Sequence, residues 1–197
     1  MELPELDQRP IIVAIAGPNG AGKSTFFHTH ISLAGLRFIE PDALARELGA
    51  DPYTAAKMAD ALRRSLMCAR ESFAFETVFS DPAGDKLAFL KEAVRAGYNV
   101  VMCFIGLADS DLSETRVTMR VSQGGHDVPT EKLHSRFPRT MANLKAAITE
   151  LPIVYIFDNS DLRNAFRKIS VFRQGQQIYT DAAPPEWLNI LLCSDRS

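Results

Sequence analysis

At 197 residues, with 46% hydrophobic and 23% charged residues, the chain has the composition of one folded domain with a substantial core. A formal net charge of −2 leaves no electrostatic footprint for nucleic acid or an anionic membrane, and no apolar stretch approaches the ~20 residues that cross a bilayer. Three scattered cysteines without a C-x-x-C pair argue against disulfides or a zinc site, and the N-terminus lacks the basic and apolar regions of a signal peptide, so a reducing cytoplasm is the expected compartment.

The apolar run at 11–16 predicts a buried strand. Directly after it come Gly17-Pro18-Asn19-Gly20-Ala21-Gly22-Lys23-Ser24, the spacing G-x-x-x-x-G-K-S of a phosphate-binding loop, followed by Thr25 and a helix over 23–33. Strand, glycine turn and helix are in register, so the loop amides and the helix N-terminus point at one place and predict a nucleoside triphosphate there. Lys23 would reach the β/γ-phosphates of ATP, and Ser24 would offer its hydroxyl to Mg²⁺.

A second strand over 36–40 leads into Pro41-Asp42. Asp42 reads equally as a general base for an attacking hydroxyl and as the N-cap of a short helix beginning at Ala43. A helix over 54–71 precedes a strand over 73–78, where Glu76 interrupts an aromatic run. A charge in such a run is costly to bury without a partner, which assigns Glu76 a sugar hydroxyl, a metal-bound water or a salt bridge.

Asp81-Pro82 predicts the start of a helix over 83–96 that Gly97 ends. After a strand over 99–105, a helix over 110–122 places Arg116 and Arg120 on one face. Gln123 to Pro129, with two glycines and His126, reads as a lid; His126 has no second histidine at ligand spacing. In the helix over 130–150, Lys132, Arg136, Arg139 and Asn143 share a face, functional or merely solvated, opposite a buried stripe of Leu133, Phe137, Leu144, Ile148 and Leu151. Pro138 is expected to kink or interrupt it. A strand over 153–157 ends in Asp158, read as shaping a loop or lying near the adenine rather than holding metal. A hairpin over 167–180 and a short helix after Pro185 read as edge decorations.

The alternation predicts an α/β fold: a P-loop NTPase with three layers, a mainly parallel five-stranded kinase-type sheet and a helical lid. Residues 1–197 form one domain, with its core at 10–160 and a functionally silent C-terminal decoration at 161–197. Ligands of such sheets sit beyond the carboxyl ends of the strands, so Asp42, Glu76 to Ser80, Gly106 and Asp158 to Ser160 should share a rim with the loop at 17–24.

Over roughly residues 10–160 these segments resemble the zeta-toxin-like family of small P-loop kinases. The resemblance is carried by Ala16 to Thr25, Pro41-Asp42, Phe75-Glu76-Thr77 with Phe79-Ser80, Arg116 and Arg120, Gly124 to Pro129, Arg136-Phe137-Pro138-Arg139 with Asn143, and Asp158-Asn159-Ser160. It implies Mg²⁺-ATP-dependent phosphorylation of a hydroxyl of a small acceptor, with UDP-N-acetylglucosamine the first candidate. By that resemblance Lys23 binds phosphate, Asp42 is the base, Glu76 with Thr77 and Ser80 holds the acceptor, and Arg120 and Arg136 neutralise the migrating group. It also implies an antitoxin protein as partner. The toxins carry a Gly-Thr pair and an arginine where this chain reads Thr77-Val78-Phe79-Ser80, which marks a different acceptor pocket. The alternatives are a nucleoside or nucleotide kinase, and a non-catalytic ATP-binding switch partnered with an antitoxin.

Overall fold

A computed structural model describes residues 3–122, 124 and 127–193. Its strands are β1 (Ile11–Ala16), β2 (Arg37–Ile39), β3 (Phe73–Thr77), β4 (Asn99–Gly106), β5 (Ile153–Asp158), β6 (Arg167–Arg173) and β7 (Gln176–Thr180). They form one sheet in the order β2-β3-β1-β4-β5-β6-β7. The first five are parallel; β6 and β7 are antiparallel to their neighbours.

All six residues of β1 are buried because both faces of the sheet are covered, which is why the strand reads as a continuous apolar run. Its side chains alternate between two cores. Ile12, Ala14 and Ala16 join one core with Phe73, Phe75, Phe104, Leu144 and Trp187. Ile11, Val13 and Ile15 join the other with Phe26, Ile31, Val101 and Phe157.

The expected five-stranded sheet is in fact seven-stranded. The five expected strands are all present, but the 167–180 hairpin is not peripheral to them. β5 would otherwise end the sheet with a row of unpaired amides and carbonyls. β6 covers that edge and buries Ile169, Val171 and Phe172, leaving β7 exposed along its length.

The helices are α1 (Lys23–Phe26), α2 (Pro41–Leu48), α3 (Pro52–Cys68), α4 (Asp85–Arg95), α5 (Ser110–Ser122), α6 (Thr130–Glu150) and α7 (Glu186–Cys193). A π-helical turn at Phe27–Ile31 continues α1. Asp42 is the second residue of α2 rather than its N-cap, which is Glu40. α3 starts at 52 because the Asp51 carboxylate accepts from the backbone of Tyr53 and Thr54. α4 begins at 85 with Gly84 at its N-cap position, and Asp81 accepts from the first-turn N–H of Lys86 at 3.2 Å from outside the helix. Pro138 lies inside α6 without ending it. Gln123, Gly125 and His126 of the expected lid lie outside the described residues.

Candidate active site

The 17–24 loop joins the carboxyl end of β1 to α1 in the arrangement the motif requires. Gly17 has φ +147°, and a β-carbon there would stand 2.2 Å from the Ile105 carbonyl oxygen, so only glycine lets the loop pass the end of β4. Lys23 is buried, and its ammonium donates to the Pro18 carbonyl at 3.0 Å. Burial pulls the Lys23 pKa below its ordinary value. Glu76, Asp42 and Glu40 oppose that shift and Arg120 adds to it.

Lys23, Asp42, Arg120 and Arg136 all line one cavity of about 290 Å³. Asn19, Gly20, Glu76, Thr77 and Lys132 complete much of its wall, with Asp127, Val128 and Pro129 from the lid segment. The elements that deliver these side chains differ in every case: α1, α2, α5 and α6. Lys23 and Asp42 lie just beyond the carboxyl ends of the parallel strands β1 and β2, and α5 and α6 bring the two arginines to the same rim. A neighbouring cavity of about 380 Å³ is lined by Ser24, Glu40, Arg46 and Gly124, and it shares Asp42, Pro52 and Arg120 with the first. Asp42 and Arg120 therefore stand on the wall between two compartments.

Glu76, on the wall of this cavity, also reaches Ser24. Its Oε2 lies 2.6 Å from Ser24 Oγ, and Glu40 Oε1 lies 3.0 Å from the same oxygen. Burial raises the Glu76 carboxyl above its ordinary range, against the pull of Lys23 and the Ser24 hydrogen bond. One hydroxyl proton serves one carboxylate at a time, and oxygens of this kind are the donors that a small divalent cation takes. Glu40 was not legible as a site residue in the sequence. Its signal is the spacing Glu40-Pro41-Asp42 at the end of β2, which sends two carboxylates to one rim.

Other expected site residues are placed differently. Thr25 is exposed on α1. Ser80 is half-buried and is not among the residues lining either cavity. The loop around it is held from α6: Thr140 Oγ1 donates to the Val78 carbonyl at 2.9 Å, and Asn143 Nδ2 to the carbonyls of Phe79 (2.9 Å) and Asp81 (3.1 Å). The expected basic face of α6 thus divides. Lys132 and Arg136 border the cavity, Asn143 anchors a loop, and Arg139 faces solvent.

Arg116 donates to the Ser160 carbonyl at 3.1 Å instead of joining Arg120 on the cavity wall. The first turn of α6 is clasped to α5, with His134 Nδ1 3.0 Å from Ser110 Oγ and Nε2 3.0 Å from Glu114 Oε2.

Asp158 accepts from the Trp187 indole at 3.0 Å and the Ser160 hydroxyl at 2.6 Å, with Arg167 at 3.9 Å. These partners make it a loop-shaping carboxylate. They also tie α7 and β6, expected to be functionally silent, to the loop after β5.

The fold is shared with solved structures. The AvrRxo1-ORF1:AvrRxo1-ORF2 complex with sulphate ions matches at a TM-score of 0.68 and 17% identity, over 97% of this chain and 66% of that one. The same complex with ATP matches at 0.66 and 16%, over 89% and 61%. The PezAT chromosomal toxin–antitoxin system of Streptococcus pneumoniae matches at 0.58 and 17%, over 94% and 79%. This chain thus spans just under two thirds of the AvrRxo1 chains it resembles. No protein-family model matches the chain, and no curated protein matches it either. The likeness of the motifs to zeta-toxin-like kinases is accompanied by a likeness of fold. Among the described residues no helix is long and apolar enough to cross a membrane.

Proposed function

We propose that the chain is an ATP-dependent phosphotransferase that moves the γ-phosphate to a hydroxyl of a small acceptor, with UDP-N-acetylglucosamine the first acceptor to test. The observation that carries this reading is the gathering of Lys23, Asp42, Arg120 and Arg136 around one cavity beside the phosphate-binding loop. In this reading the loop amides and Lys23 hold the β/γ-phosphates. Asp42 accepts the proton of the attacking hydroxyl, and Arg120 and Arg136 neutralise charge on the transferring group.

Ser24, with the carboxylates of Glu40 and Glu76 at 3.0 and 2.6 Å, would hold Mg²⁺. The ion would supply charge neutralisation for the transferring phosphoryl group. The ATP seen in the AvrRxo1 complex of the same fold supports ATP as the nucleotide. A base on the cavity wall distinguishes a kinase from a nucleotide-dependent switch, which needs no proton acceptor.

The test is transfer of label from γ-labelled ATP, with Mg²⁺ and UDP-N-acetylglucosamine, by wild type and Asp42→Asn. The expected result is transfer by wild type and a rate lower by about 10²–10⁴-fold in the variant. ATP binding without transfer to this sugar nucleotide would remove it as acceptor. Equal transfer by both proteins would remove Asp42 as base.

A further inference from the structure

Two buried side chains outside the phosphate-binding loop hold alternate carbonyls of that loop. Ser113, 1% exposed on α5, donates its hydroxyl to the Asn19 carbonyl at 2.7 Å. Asn159, 3% exposed in the loop after β5, donates Nδ2 to the Ala21 carbonyl at 2.9 Å. Asn159 is itself fixed on two further sides. Its backbone N–H donates to the Gly106 carbonyl at 3.0 Å, and its Oδ1 accepts from the Phe166 N–H at 3.3 Å.

In a trans peptide the carbonyl and the following N–H point in opposite directions. Drawing the Asn19 carbonyl toward α5 therefore turns the Gly20 N–H away from α5. Drawing the Ala21 carbonyl toward Asn159 turns the Gly22 N–H away from the β5 loop. The intervening Ala21 N–H is occupied by the Pro18 carbonyl at 3.3 Å. The same elements also crowd the two glycines where β-carbons would go. A β-carbon on Gly22 would lie 3.0 Å from Asn159 Nδ2, and one on Gly20 would lie 3.0 Å from the Ser113 carbonyl and from Arg116 Cβ.

We infer that Ser113 and Asn159 are positioning residues that preset the Gly20 and Gly22 amides toward a bound polyphosphate, so that the anion nest exists before the ligand arrives. This rests on the nucleotide-binding reading above. Neither residue touches ligand; each acts through one carbonyl, and the two act on different peptide units. The benefit of such preorganisation is that no ordering of the loop is charged against binding. It also links β6 and α7 to the site, since the Phe166 N–H just before β6 donates to Asn159 and the Trp187 indole of α7 donates to the adjacent Asp158.

The experiment measures ATP affinity by calorimetry for wild type, Ser113→Ala, Asn159→Ala and the pair, with ¹H–¹⁵N spectra followed during ATP addition. Wild type should bind ATP, with the Gly20 and Gly22 amide protons moving downfield. Each single variant should bind on the order of tenfold more weakly, and the pair on the order of a hundredfold. The loss should be local: Ser113→Ala removes the Gly20 shift, and Asn159→Ala removes the Gly22 shift. Unchanged affinity, or weaker binding with both glycine shifts intact, would overturn the inference, because a merely structural role predicts the latter. Should Asn159→Ala fail to fold, Ser113→Ala, which deletes one hydroxyl, decides the matter at Gly20. A wild type that binds no ATP would sink the nucleotide reading itself and this inference with it.

Discussion

Gly106 stands at the end of β4 with the Trp187 indole directly against it, and Gly106→Ala should be strongly destabilising. An added β-carbon would lie 2.2 and 2.4 Å from two atoms of the indole and 3.0 Å from a third, far inside contact distance. Trp187 is only 7% exposed and belongs to the core beside Phe104, although one side of it borders a cavity of about 530 Å³. Overpacking of this kind costs about 1–3 kcal/mol. Moving the ring also breaks the indole hydrogen bond to Asp158, which is worth roughly 1.5–3 kcal/mol for a charged acceptor. The reduced freedom of alanine in the unfolded chain returns about 0.4–1 kcal/mol.

The net loss is about 2–5 kcal/mol, a fall in Tm on the order of 10 °C for a chain of this length. Thermal and urea unfolding followed by circular dichroism measure it, and Trp187, the chain's one tryptophan, reports the local change by its emission. The decisive control is Trp187→Leu, which removes the obstructing ring. In that background Gly106→Ala should cost little, a coupling of roughly 2 kcal/mol or more. A Tm within ~2 °C of wild type, or an equal loss in both backgrounds, would refute the reasoning.

Arg120→Ala and Arg136→Ala should each lower the rate of phosphoryl transfer by about 10²–10³-fold while changing ATP affinity far less, because their charge is needed where negative charge migrates. Single-turnover rates set beside calorimetric affinities separate the two effects, and a loss confined to binding would contradict the assignment. Glu76→Gln should stabilise the protein in a pH-dependent way. Burial raises the Glu76 carboxyl, so the native state holds its proton above the ordinary value of 4.5 where the unfolded state has lost it. The stability of wild type linked to this group is therefore complete below that value and falls as pH rises through the raised one. Urea unfolding should show no gain from Glu76→Gln at pH 4 and a clear gain at pH 8; an equal gain at both would be the contrary result.

Much of this architecture is written locally in the chain. β1, the phosphate-binding loop and the limits of α5 and α6 depend on apolar periodicity and glycine spacing, which short windows contain. Of the residues expected to share the rim with the loop, Asp42, Glu76, Thr77 and Val78 line its cavity, because the parallel strands before them end on one side of the sheet; Ser80, Gly106 and Asp158 to Ser160 do not line it. What escaped was non-local. Glu40 looks like the last residue of a strand until Ser24 is seen 3.0 Å away. The hairpin looks peripheral until β5 is seen to offer it an open edge. Trp187 and Asp158 are 29 residues apart, and no periodicity records that one indole donates to one carboxylate. Asp42 looked like a cap because the residues after it form helix, but the chain turns helical at Pro41, whose fixed φ suits a first position.

Pro138 has a consequence for how charge reaches the cavity. Lacking an N–H, it leaves the helical ladder of α6 one bond short at the carbonyl four residues earlier. On one side of that weak rung is an arm that carries Lys132 and Arg136 and is buttoned to α5 through His134. On the other is a root that grips the chain beyond β3 through Thr140 and Asn143. The cations and the grip thus belong to one helix but lie on opposite sides of its missing bond.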